Sequence, residues 1–405
     1  MRSLRSLSLL AAGALVAAGT ALAGPALADP INSHSKAVTP QAYDIVGVGA
    51  DTDDTLFDQL AWDYDTTHKT HNKTHPYIYS FDATPPSNPL NTTSEIQTKK
   101  GCAKVLRPDG TGAGITQFEL PAKTSGHNCI DFARASSYRP STDPLNYAPN
   151  GDIYVPLAQD AEVYAVNKGG NAPTNLTTAD LEAIYSCAAT TWGEIPGTSP
   201  SIASQPIVAL LPPTTAGVTK FWLKQLGLSS TPASCLVGTG AGGTPVLQQN
   251  QGISSQFSIK SGGKTVPNPN VIVPISVGKY IAQADHSAAV GKKPTKTQNK
   301  FGHNEVGHLV LGSISDVPPT VGSGAKTKID SGLESAGGID FLRDIYDVLR
   351  YATSSKNNDH IPTSLEPFFA SAHAKVKGWF CSNKTARLAI VNYGFLTVPN
   401  CGFGS

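Results

Sequence analysis

Tyr43-Asp-Ile-Val-Gly-Val-Gly49 runs straight into Ala50-Asp-Thr-Asp-Asp-Thr-Leu56 and then Phe57-Asp-Gln-Leu60. The opening residues read as an apolar strand over Asp44–Val48. Leu56, Phe57, Leu60, Ala61 and Tyr64 then recur at helical spacing, so a helix follows the strand. Asp51 or Thr52 is the expected cap of that helix. A second stretch, Arg107-Pro-Asp-Gly-Thr-Gly-Ala-Gly-Ile115, reads as a Gly/Thr-rich loop opening another helix, and Asp131-Phe-Ala-Arg-Ala-Ser-Ser137 follows it. Small residues at a helix start leave backbone N–H groups free to hold an anion or a polar ligand. Two such ends in one exported chain predict capture of a small solute.

Export is read from the first residues. Arg2 and Arg5 give a basic start, Leu9–Ala23 is apolar, and Ala26-Leu27-Ala28 fits a cleavage site, so residues 1–28 read as a signal peptide. No cysteine follows the apolar run, so no lipoprotein anchor is expected. No later stretch approaches the roughly 20 apolar residues of a membrane span. Removing residues 1–28 leaves 377 residues with 29 basic and 30 acidic side chains. That length suits two domains. The near-neutral balance argues against nucleic acid or an anionic membrane as partner.

The cysteines are Cys102, Cys129, Cys187, Cys235, Cys381 and Cys401. An even count behind an export signal reads as three disulfides, with 15 possible pairings. Sequence proximity favours Cys102–Cys129, Cys187–Cys235 and Cys381–Cys401.

Along the chain, residues 29–41 read as a flexible leader and Tyr77–Phe81 as a short strand. Asp152–Asn167 carries a long apolar pattern suited to a crossover between domains. Thr177 is a helix cap, with Asp180 at the third position and a Leu176/Leu181 staple. Pro206–Leu211 reads as a buried strand. Phe221, Trp222 and Leu226 mark a helix stopped by Gly227. Asn270–Tyr280 contains another strand, and residues 229–268 and 286–337 read as loop-rich. Phe341–Tyr351 fits helix or strand. Leu365–Trp379 and Thr385–Tyr393 read as helices. Alternating strands and helices give an α/β fold.

Three constellations invite catalytic readings. His68, His71 and His75 would share a face if helical and offer imidazoles to Zn or Cu. We read them as a polar surface segment, because Thr, Lys and Asn surround them and Pro76 ends the run. His303-Asn-Glu305-Val-Gly-His308 suggests a zinc hydrolase, but the histidines are five apart rather than four and Gly307 interrupts a helix, so we read a loop. Gly110-Thr-Gly-Ala-Gly lacks the Lys-Ser/Thr of a P-loop. Neither cofactor nor metal is expected, and no catalytic residue. Taken alone, Thr111 and Gly112 fit a plain turn as well as a ligand contact. Arg134 likewise fits an ion pair with a neighbouring Asp.

The order of Gly-Val-Gly-Ala-Asp-Thr, Gly-Thr-Gly-Ala-Gly-Ile, Asp-Phe-Ala-Arg-Ala-Ser and Leu176-Thr-Thr-Ala-Asp-Leu-Glu-Ala-Ile-Tyr-Ser-Cys187, closing on Tyr393-Gly-Phe and Val398-Pro-Asn-Cys-Gly402, resembles the phosphate-binding proteins of ABC importers. It is most similar to their secreted actinobacterial branch. The resemblance implies a type II periplasmic-binding-protein fold with a hinge and an interlobe cleft. It implies lobe one over 42–155, lobe two over 156–280, and a return to lobe one over 281–405. It also implies a non-catalytic, monomeric protein whose partner is a small solute, phosphate or another oxyanion.

Carried over from family phosphate sites, the hydroxyl at the first helix start falls on Asp51 and Thr52, and the second on Thr111. The family Asp falls on Ser136, near Arg134. The lobe-two Ser-Gly-Thr falls on Ala216-Gly217-Val218, and its Arg falls near Pro212. Thr214, Thr215 and Thr219 substitute in part. The expected ligand-binding residues are therefore Asp51, Thr52, Thr111, Gly112, Arg134, Ser136, Thr214, Thr215, Gly217 and Thr219. Missing hydroxyls, the missing Arg and the negative Asp51 predict weak phosphate binding. They also leave two other readings: a structural or interaction protein with a degenerate pocket, and a metal-dependent hydrolase using His303, Glu305 and His308.

Overall fold

The computed structural model describes residues 29–30, 37–86, 88–91, 93–138, 151–230, 233–238, 247–286, 304–352, 361–369 and 377–402. Residues 1–28, read above as a signal peptide, and His303 lie outside the described residues. The architecture is α/β around an eight-stranded sheet. Its strands are β1 (Ile45–Gly49), β2 (Ile78–Ser80), β3 (Phe132–Ala135), β4 (Asp152–Asn167), β5 (Val208–Ala209), β6 (Val271–Ser276), β7 (Leu309–Leu311) and β8 (Leu342–Arg350). Their order is β5-β6-β4-β8-β3-β1-β2, with β7 also on β4. The β1, β2 and β3 pairings are parallel, as is β5 with β6. β4 and β8 run antiparallel to their neighbours.

The sixteen-residue β4 organises the molecule. From Asp152 to Ala161 it pairs with β8, and from Glu162 to Val166 with β6. Its side chains accordingly enter different cores. Ile153, Val155, Leu157 and Ala158 pack with Phe57, Phe132, Ile345 and Phe369. Ala161, Val163, Tyr164 and Val166 pack with Trp192, Trp222, Ile272 and Phe341. Near-continuous apolar character is what a strand covered on both faces needs.

Helix α1 (Asp54–Thr67) buries Leu56, Phe57, Leu60 and Ala61 on one face, as the spacing predicts. Phe57 sits 4.8 Å from Phe132 and 5.1 Å from Phe380, ring to ring. Helix α2 (Gly110–Glu119) buries Gly114, Ile115 and Phe118. Gly114 is required there: a Cβ would lie 2.4 Å from the Gly49 Cα. The glycines expected in a loop are thus inside the helix, and Gly114 brings it onto β1.

Helix α3 (Thr178–Tyr185) has the expected capping box, with Thr177 accepting from the Asp180 amide and Asp180 from the Thr177 amide. Helix α4 (Gly217–Gln225) buries Trp222 against Tyr185 and Phe341. Helices α5 (Val277–Ile281), α6 (Trp379–Ser382) and α7 (Lys384–Asn392) complete the main elements.

All six cysteines are paired as sequence proximity predicts, with Cα separations of 5.9, 5.9 and 5.6 Å. No helix among the described residues is long and apolar enough to cross a membrane.

Two expectations change. Asp53, not Asp51 or Thr52, holds the cap position of α1, and its side chain makes no capping bond. Leu365–Trp379 is not one helix: its described start is a series of turns. Pro367 has no N–H to donate, and the carbonyls of Pro367 and Phe368 accept from Trp379 and Phe380. The latter two begin α6 instead.

Candidate functional site

The strand ends β1, β2 and β3 meet at one edge of the sheet, and a single side chain fastens them. Arg134 on β3 is fully buried. Its Nε donates to the Ala50 carbonyl at 3.1 Å, Nη2 to the Phe81 carbonyl at 2.8 Å, and Nη1 to Ser80 Oγ. Asp53 lies 3.7 Å from its Nε. The structure therefore places Arg134 beneath the loop, in the ion pair with a neighbouring Asp.

Above it, residues 50–54 turn from β1 into α1, and Asp51, Thr52, Asp53 and Asp54 are all buried. Lys279 on α5 reaches into this turn. Its Nζ donates to the Asp51 carbonyl at 2.6 Å, to Asp51 Oδ1 at 2.5 Å and to Asp54 Oδ1 at 3.1 Å. Thr52 Oγ1 accepts from Gln249 Nε2 at 2.8 Å and from Arg343 Nη2 at 3.4 Å. Arg343, on β8, also grips Asp160 at 3.0 Å and Glu162 at 2.9 Å.

A second cluster forms where α2 faces α4. Thr111 Oγ1 accepts from the Ser136 amide at 3.0 Å and lies 3.3 Å from Ser136 Oγ. Gly217 opens α4 directly against them: a Cβ there would lie 2.2 Å from Ser136 Oγ and 3.2 Å from Thr111 Oγ1. A Cβ on Gly112 would lie 3.3 Å from the Thr215 carbonyl. Thr214 and Thr215 are exposed, whereas Thr219 is buried and donates to the Pro212 carbonyl at 2.9 Å. The structure thus gathers Thr111, Gly112, Ser136, Thr215 and Gly217 in one place and Asp51 and Thr52 in another.

Sequence reasoning missed Lys279, Arg343 and the run Gln248-Gln-Asn-Gln251. The run is buried and hydrogen-bonds in both directions. Gln249 bonds Thr52, Gln251 donates to the Pro89 carbonyl at 2.8 Å, and Asn250 exchanges two bonds with Ser276 at 3.0 and 3.1 Å. Four consecutive amides in a Ser/Gly/Thr loop were the available signal. A lone lysine behind the apolar strand 271–276 was another.

Burial sets the electrostatics. Desolvation pushes Asp53 up to about 7, against the pull of Arg134. It pushes Glu305 up to about 7 and Asp109 to about 6. Burial also disfavours the charge of Lys279, but Asp51 and Asp54 outweigh it and its pKa is raised. For Asp54, burial is outweighed by Lys279 and Arg134, and its pKa is lowered.

A carboxyl raised in the folded state holds its proton where the unfolded chain has lost it. Stability from Asp53, Glu305 and Asp109 is therefore fully present below the unfolded values near pH 4 and is lost as pH rises to about 7. Melting temperature is expected to fall by about 5 °C across that window. A flat or rising profile in a thermal melt series would overturn this.

The histidine-rich segments serve other contacts. His71 Nε2 pairs with Asp44 at 2.7 Å and stacks on Tyr77, and His68 stacks on Tyr64. Glu305 is buried near Lys279, and His308 is exposed.

A model described as PBP superfamily domain matches residues 34–327, and the chain belongs to that superfamily. No curated protein matches the chain. Among solved structures, it is similar to a putative phosphate ABC transporter substrate-binding protein with bound phosphate from Clostridium perfringens. Identity is 13%, covering 88% of this chain and 99% of that one, with a TM-score of 0.50. It is also similar to an ABC-type phosphate transport receptor from Vibrio cholerae, at 16% identity, 88% and 100% coverage and a TM-score of 0.47. The first likeness shows the fold.

Proposed function

We propose that this chain is an exported, non-catalytic solute-binding protein that takes a small polar or weakly anionic ligand between two lobes. Lobe one comprises 42–155 with 281–405, and lobe two comprises 156–280. The observation that carries the reading is the junction itself. Gln249 donates to Thr52 across the boundary, Lys279 binds Asp51 and Asp54 across it, and Gly217 and Thr215 pack close against Ser136, Thr111 and Gly112. Opening such a seam breaks these contacts, and a ligand would replace them on closing.

Phosphate is a poor fit. The cations are already committed: Lys279 to Asp51 and Asp54, Arg343 to Asp160 and Glu162, and Arg134 to Asp53 and the strand ends. An added dianion would have to compete with these partners in a medium that screens charge weakly. Lys279 already bonds the residues that would greet an anion, which favours a second reading, an interaction protein whose pocket is satisfied internally.

Calorimetry is expected to give a phosphate dissociation constant weaker than about 0.1 mM. Submicromolar phosphate binding would overturn the charge argument. A thermal-shift screen of oxyanions and sugars is expected to find a stabilising solute, with affinity reduced about tenfold in Thr52→Ala and Thr111→Ala. Unchanged affinity in both variants would remove the cleft and leave the interaction reading.

A further inference from the structure

Beside the buried turn at the start of α1, three further carboxylates converge. Asp29 comes from the N-terminal segment, Asp58 from α1, and Asp82 from just beyond β2. Each offers one oxygen, and these oxygens lie within 4.8 Å of one another. The Asp82 amide donates to Asp29 Oδ2 at 3.0 Å, and Arg107 binds both Asp29 Oδ2 and, at 2.9 Å, the Asp82 carbonyl. Asp29 is thereby fixed in place.

Proximity of acids alone means little, but the cluster also holds a stranded oxygen. The Asp29 side chain is 4% exposed, and its Oδ1 has no hydrogen-bond partner among the described residues. Asp58 and Asp82 share a side-chain hydrogen bond. A buried carboxylate oxygen without a donor is unfavourable unless something positive faces it. Arg107 is already engaged with Asp29 Oδ2, the Asp82 carbonyl and Ser94.

We propose that Asp29, Asp58 and Asp82 form a binding site for a hard divalent cation, with Ca²⁺ the best match. Calcium binds oxygen at about 2.3–2.6 Å, so two ligands on opposite sides of the ion stand about 4.6–5.2 Å apart, near the limit of this cluster. All three donors are oxygens, the set that hard cations select over softer metals. The ion would join Asp29 to α1 and to the strand edge at β2, so it would act on stability.

The test is thermal melting of the full chain after EDTA and desalting, at neutral pH. Adding about 5 mM CaCl₂ is expected to raise the melting temperature by about 3 °C. Asp58→Asn and Asp82→Asn should abolish that rise. Equilibrium dialysis against ⁴⁵Ca²⁺ gives a second readout if a variant does not fold, with about one ion per wild-type chain expected. No calcium response and no bound ion in the wild type would overturn the site. A response that persists in both variants would overturn it equally.

Discussion

Replacing Arg134 with Met is expected to destabilise the fold by about 3–5 kcal/mol, the range for removing one partner of a buried ion pair. The side chain is completely buried and supplies donors to Ala50, Ser80 and Phe81. These residues belong to the ends of two strands, while Arg134 itself sits on the third. Met fills most of the volume but satisfies none of the acceptors. It also leaves Asp53, whose oxygens already lack hydrogen bonds, with no positive neighbour at 3.7 Å. A cycle with Asp53→Asn should recover part of the loss, because the neutral amide needs no counter-charge. Denaturant melts provide the measurement. A loss below about 1 kcal/mol would mean that the strand ends hold together without the guanidinium.

Lys279→Met is expected to cost about 3 kcal/mol near neutral pH and clearly less near pH 5. The variant leaves Asp51 and Asp54 facing each other in a buried turn, so both carboxyls rise above their unfolded values. Groups raised in this way favour the folded state at low pH and lose that contribution as pH climbs. A plain packing defect would give the same loss at both values. Equal losses at both pH values would therefore contradict the ion-pair account. No loss at either would mean that Lys279 is not needed to hold the turn.

Much of the fold was legible because it rests on local spacing. The α1 face at Leu56, Phe57, Leu60 and Ala61 and the Thr177/Asp180 capping box are both short-range signals. Strand β8 was ambiguous for a physical reason. Leu342, Ile345, Val348 and Leu349 recur at helical spacing, yet the segment is a strand buried on both faces. It tolerates Arg343 and Asp347 in the interior because Asp160, Glu162 and Arg134 lie beside them. Those partners come from distant segments and cannot be seen in a window of ten residues. Lys279 and Arg343 escaped notice for the same cause, since their roles are fixed by Asp51 and Asp160 across the chain. Arg134 was visible as a candidate, but both of its meanings were chemically reasonable. Only its burial separated them.

Strand β4 has a consequence for how the chain is made. It contributes to three cores, and its partner along residues 152–161 is β8, whose first residue is Leu342. During synthesis, β3 and β4 would emerge almost two hundred residues before the strand that lies between them. Until then each presents an unpaired edge, the kind of surface that invites wrong partners. The contacts that finish the sheet have large sequence separation, which slows folding. The growing polypeptide is therefore committed to waiting: none of these cores can close around β4 until β8 has arrived.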